Sequence, residues 1–168
     1  NVLNWNQPSS VMTITQSTGQ ITLNATSTTA SGNVARITSW QQFPMYGVVG
    51  CGAYWSFRFS QAFLPTNQIV EMGLVQHTST TAATSGVYFQ TTTSGTFQAV
   101  RTFNSGDTTT AVTLTSPNTV HFAKIVRGES SVLFFLDNTV VATMDITSTA
   151  ATVGSITDTQ YFPMSFRI

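Results

Sequence analysis

At 168 residues, with six basic and six acidic side chains and a formal net charge of +0, the chain is long enough for one domain with a real core and too short for two ordinary ones. Charged residues make up only 7% of it against a typical ~25%, so its polar surface must be built from Thr, Ser, Asn and Gln. That composition excludes the clustered Lys and Arg needed to replace counterions on nucleic acid or to hold an anionic membrane.

The chain starts at Asn1, which gives the expectation of a fragment or a processed product, and its opening residues carry no signal-peptide pattern. No apolar run approaches the ~20 residues of a membrane span. Strand patterns then follow one another with almost no helical periodicity. Val11 to Gln16 and Gln20 to Asn24 flank the turn Ser17-Thr18-Gly19, with Met12, Ile14, Ile21 and Leu23 recurring at period two. Val34 to Ser39 reads as a third strand. Trp40 to Gly52 is the least regular stretch, because Pro44 lacks the N–H that a central strand needs. The single cysteine, Cys51, rules out an intrachain disulfide and reads as a small buried residue.

Ala53 to Ser60 alternates, with Trp55, Phe57 and Phe59 on one face and Tyr54, Ser56, Arg58 and Ser60 on the other. Gln68 to His77 is mostly apolar and fits a central strand buried on both faces. A hairpin then runs from Gly86 through Thr93-Ser94-Gly95 to Phe103. Thr109 to Leu114 follows, and Ser116-Pro117-Asn118 turns the chain into Thr119 to Ile146. That last segment holds three antiparallel strands, joined by Gly128-Glu129-Ser130 and by Asp137-Asn138. Short polar side chains of the Asp-Asn type accept the positive φ of a two-residue hairpin turn. Thr159 to Ile168 closes the series. About twelve strands at intervals of roughly 8–12 residues have the cadence of a sandwich or barrel. An echo between Gln42-Phe-Pro-Met-Tyr46 and Tyr161-Phe-Pro-Met-Ser165 reads as two edge strands that use Pro to block further pairing. With no linker, the expectation is one domain over residues 1–168.

Signs of chemistry are sparse. Glycoside hydrolysis on a β-sandwich needs two carboxylates about 5–9.5 Å apart across the scissile bond. The acids are Glu71, Asp107, Glu129, Asp137, Asp145 and Asp158, none at i, i+2 spacing. Glu71, inside the buried-looking strand, reads as a structural carboxylate paired with Arg58 or Arg101 rather than a lone general acid. His77 and His121 stand apart from any Cys or second His, and no acid-rich cation loop is present, so neither a metal nor another cofactor is expected. There is no Gly-x-Ser-x-Gly elbow and no phosphate-cradling loop. The chain reads as a non-enzyme. A glycan site remains open, since an aromatic platform beside amide or guanidinium donors suits a sugar. Trp40 (with Gln41 and Gln42), Tyr46, Tyr88 (with Gln90) and Arg101 are the candidates. The competing assignment gives these aromatics to the core or to subunit contacts, and with twelve Phe to bury it is the weightier.

The segment Val132-Leu-Phe-Phe-Leu136, Asp137-Asn138, Thr139-Val-Val-Ala-Thr143 resembles the hairpin of concanavalin A-like (lectin/glucanase) jelly rolls. The implied fold is all-β, an antiparallel jelly-roll β-sandwich. Together with Met12-Thr-Ile-Thr-Gln-Ser17, Ser39-Trp-Gln-Gln-Phe-Pro-Met-Tyr46, Asn67-Gln-Ile-Val-Glu-Met-Gly-Leu74 and Phe162-Pro-Met-Ser-Phe-Arg-Ile168, the chain is similar to small structural domains of tailed bacteriophages. That resemblance implies a virion-surface component, a capsid decoration (cement) or head-fibre protein. Its expected partner is the major capsid protein or another virion protein, in a homo-oligomer of the trimeric kind. A receptor-binding or carbohydrate-binding, lectin-like module is the alternative. Low charge agrees with a covered place in an assembly, where edges and patches are buried.

Overall fold

β-Branched and aromatic residues at period two dictate strands here, and the computed structural model, which describes residues 5–6, 13–24, 34–44, 52–77, 83–103, 106–146 and 161–168, contains no helix among them. The strands are β1 (Trp5–Asn6), β2 (Thr13–Ser17), β3 (Gln20–Asn24), β4 (Arg36–Pro44), β5 (Gly52–Phe57), β6 (Glu71–His77) and β7 (Ala83–Thr91). They continue with β8 (Phe97–Phe103), β9 (Gly106–Ala111), β10 (His121–Arg127), β11 (Ser131–Leu136), β12 (Thr139–Asp145) and β13 (Tyr161–Arg167). All pairings are antiparallel. A seven-stranded sheet runs β1-β4-β13-β6-β7-β8-β9, a four-stranded sheet runs β12-β11-β10-β5, and β2-β3 forms a separate ribbon.

The two larger sheets pack over a common core. Met72, Leu74, Phe89, Phe97, Ala99 and Phe162 come from the seven-stranded sheet, and Trp55, Ile125, Val132, Phe134, Leu136 and Met144 from the four-stranded one. Phe89 is the hub: it stacks on Phe97 and meets Phe134 and Trp55 edge-on, at centroid distances of 5.3, 5.4 and 6.2 Å. Each such fully buried ring contributes about 2 kcal/mol through burial, before any gain from ring geometry.

The turns follow the expected chemistry. Asp137 and Asn138 have φ of 50° and 66°, the signature of a tight hairpin whose twist matches its strands, and Thr18-Gly19 repeats the device at 48° and 77°. The edge-strand reading of the two Phe-Pro segments is corrected. β13 lies inside the seven-stranded sheet, between β4 and β6, and the two echoing segments pair with each other: Tyr161 opposite Pro44, Phe162 opposite Phe43, Pro163 opposite Gln42. An interior Pro163 is tolerated because the ladder breaks beside it. While β13 advances from Pro163 to Ser165, β4 runs from Gln42 back to Thr38, which leaves a bulge around Trp40. Ser39 fills the gap, its Oγ accepting from Met164 N at 2.9 Å and donating to the Gln41 carbonyl at 2.7 Å.

Candidate functional site

One face of the seven-stranded sheet lines the core, and the other carries a row of polar side chains at consecutive register positions. Arg36 on β4 lies opposite Arg167 on β13, Arg167 opposite Glu71 on β6, Glu71 opposite Gln90 on β7, and Gln90 opposite Gln98 on β8. Glu71 is fully buried, so every oxygen needs a donor. Oε2 accepts from Arg167 Nη1 at 3.0 Å and from His77 Nε2 at 2.8 Å, and Oε1 accepts from Gln90 Nε2 at 3.2 Å. Gln98 Nε2 then donates to Gln90 Oε1 at 2.9 Å. Burial pushes the Glu71 carboxyl upward, but the His77 hydrogen bond and the Arg167 charge outweigh it, so the group is held below the usual glutamate range.

His77 and Glu71 are six residues apart on the same strand. A straight strand would separate their α-carbons by roughly 20 Å, more than the two side chains can span. β6 therefore bends toward this face. Two glycines permit the bend. Gly73 and Gly86 have φ of 154° and 151°, and a Cβ at either would come within 2.7 Å of backbone on the neighbouring strand, Tyr88 Cα in one case and Val75 Cα in the other. The ladder also shifts register between Gln76 and His77. From the far side of the imidazole, Nδ1 lies 3.3 Å from Ser165 Oγ, which is 3.2 Å from Thr38 Oγ1.

This network backs a cleft of about 250 Å³ lined by Arg36, Thr38, Gln42, Gln76, His77, Tyr161 and Pro163. Tyr161 is half exposed, and Trp40, between the lining residues Thr38 and Gln42 on the bulge, is 69% exposed. The lining therefore offers a guanidinium, two amides and the hydroxyl-bearing Thr38 and Tyr161, while the His77 side chain is buried with its ring nitrogens turned to Glu71 and Ser165.

The sequence-predicted residues divide. Trp40 is open to solvent and stands in the chain between two lining residues, and Gln42 lines the cleft. Tyr88 and Arg101 are corrected as platform residues: each is 2% exposed, and a buried side chain presents no face to a glycan. Tyr88 packs with Val75, Ala83 and Val100, its hydroxyl 3.5 Å from Thr102 Oγ1, and burial pushes its phenol well above the usual tyrosine range. Arg101 shares a strand face with the core residues Phe97 and Ala99. Tyr46 and Cys51 lie outside the described residues. The expected partners of Glu71 are replaced by Arg167 and His77. Arg36, Gln76, His77 and Tyr161 were not singled out for a binding site. The only sequence signal for them was the Phe-Pro echo, since its two copies pair beside the cleft. Among the described residues no group of three or more His, Cys, Asp or Glu is placed to hold a metal ion.

Two antiparallel sheets on one core, with a cleft on the outer side of the larger, define a concanavalin A-like jelly-roll sandwich. Solved structures share it: a sialidase (TM-score 0.65, 12% identity, 98% of this chain) and the Emp46p carbohydrate recognition domain in its potassium-bound form (0.63, 8%, 97%). A third is the Bacillus licheniformis β-glucanase (0.56, 8%, 99%). This chain spans 13% of the sialidase chain and 79% of each of the other two. No protein-family model and no curated protein matches the sequence. At such identities the likeness is one of fold. It nevertheless overturns the expectation of a non-enzyme, because a glucanase and a sialidase stand among the neighbours.

Proposed function

We propose that the chain is a single carbohydrate-binding, lectin-like jelly-roll domain that takes a sugar in the cleft between β4, β6 and β13. The observation that carries this reading is the chemistry of the lining. Sugar hydroxyls need fixed planar donors and acceptors, which Arg36, Gln42 and Gln76 supply, while the apolar face of the ring needs an aromatic neighbour, which Tyr161 and Trp40 offer. The volume falls just short of the ~300–1,000 Å³ of drug-sized clefts, in keeping with one sugar ring or a chain end. Support also comes from a neighbour named as a carbohydrate recognition domain and another named as a β-glucanase. The virion role, with its capsid partner and trimer, draws no support from these observations, and the glycan reading takes its place.

A glycan array followed by calorimetry on the best ligand tests it. Trp40→Ala and Tyr161→Ala are expected to weaken binding roughly tenfold each while leaving the thermal midpoint unchanged. Absence of saturable binding across the array, or binding indifferent to both substitutions, would overturn the proposal. Release of reducing ends from the bound glycan would extend it to hydrolysis.

A further inference from the structure

Period-two alternation should leave the open face of the four-stranded sheet polar, since its other face already sends Trp55, Ala123 and Ile125 into the core. Two aromatic rings stand on the open face instead. Tyr54 on β5 is 62% exposed, and Phe122 on the neighbouring β10 is 43% exposed. Their rings are parallel to within 2° with centroids 6.1 Å apart, an offset that leaves ring surface open to solvent. Polar groups alternate with them in the ladder: Lys124 lies opposite Tyr54, and Ser56 opposite Phe122. Lys124 is steadied in turn, its Nζ 4.9 Å from the centre of the Phe135 ring on β11. An aromatic pair, a positioned ammonium and a hydroxyl therefore share one open surface, on the opposite sheet from the cleft.

The size of the ring pair selects its occupant. Tyr54 and Phe122 together expose roughly 200 Å² of side chain, about a quarter of the ~800 Å² that a stable protein interface takes from each partner. That footprint suits a few sugar rings lying across two strands. Resting on the glycan reading above, we infer that this face is a second carbohydrate site, which holds the interior of an extended polysaccharide while the cleft takes a single ring or a chain end. Apolar faces of successive sugar rings stack on Tyr54 and Phe122, and their hydroxyls meet Lys124 and Ser56.

Affinity electrophoresis in gels containing soluble β-glucan, xylan, mannan or alginate tests it. At least one polymer should retard the wild-type chain. Tyr54→Ala and Phe122→Ala, made separately at exposed positions, should each weaken that binding roughly tenfold with the thermal midpoint unchanged. Ser56→Arg, which crowds the rings without removing either, should weaken it as well. Retardation that survives all three substitutions would overturn this inference and, where Trp40→Ala abolishes it, leave the glycan reading standing. No retardation by any polymer would also overturn it, while the short ligands of the array judge the cleft separately. Sedimentation velocity addresses the competing occupant: concentration-dependent self-association that Phe122→Ala abolishes would overturn the inference and give the face to a second copy of the chain.

Discussion

Two histidine–carboxylate pairs, one on each large sheet, share the same 2.8 Å separation but hold different kinds of structure. On the seven-stranded sheet, His77–Glu71 is wholly buried and draws Gln90 and Arg167 from other strands, 19 and 96 residues away. On the four-stranded sheet, His121 Nδ1 meets Asp137 Oδ2 within a local hairpin unit. There the carboxylate is half exposed, its Oδ1 accepts from Phe122 N at 2.9 Å, and the ring's Nε2 faces the Ser116 carbonyl at 3.1 Å. The outer face beside it is apolar and open, with Tyr54 and Phe122 stacked 6.1 Å apart. The contrast teaches that the same histidine–carboxylate contact can clamp a turn at small cost or, once buried, become a junction on which several strands depend.

The comparison breaks most severely at the bend that brings His77 to Glu71. Gly86→Ala places a Cβ 2.4 Å from the Leu74 carbonyl oxygen at a φ that side chains rarely adopt, and should cost roughly 3 kcal/mol or more, read by denaturant unfolding. Next comes Glu71→Gln, which removes the buried carboxylate charge that Arg167 and His77 meet and should cost about 3 kcal/mol. This variant also sharpens the pH behaviour. Because the folded Glu71 carboxyl sits below its unfolded range, its contribution is present above pH ~4.3 and is lost as the pH falls through the folded value. Acid unfolding should therefore be steep in the wild type and flatter in Glu71→Gln. Asp107 acts in the opposite sense, since burial and then the Glu71 charge push its carboxyl up, and it favours the fold while protonated. The smallest effect belongs to Asp137→Ala, at about 1 kcal/mol, since the half-exposed carboxylate is screened by solvent and loses mainly its bonds to Phe122 and His121. A loss from Asp137→Ala equal to that from Glu71→Gln would show that burial does not separate the two pairs.

How far the site was legible follows from the same contrast. Trp40 and Gln42 could be picked out because an aromatic beside amides on an irregular stretch is a local pattern. Tyr88 and Arg101 carried the same chemistry but lie on strands covered at those positions, and period-two alternation cannot say which of two faces is open in a sheet packed on both sides. Tyr161 was marked only by the Phe-Pro echo and His77 by nothing nearby in sequence, since β13 reaches β4 and β6 only through long-range pairing.

Local chemistry alone determined the strands, the Asp137-Asn138 and Thr18-Gly19 turns and the all-β sandwich, because alternation and positive-φ tolerance act over a few residues. Only the tertiary structure decided that β13 would slot between β4 and β6, that Glu71 would find Arg167 and His77, and that Arg36 would face a cleft. Those outcomes depend on strand order and on the curvature that two glycines allow. Both arise from contacts between residues far apart in the chain, which no local pattern records.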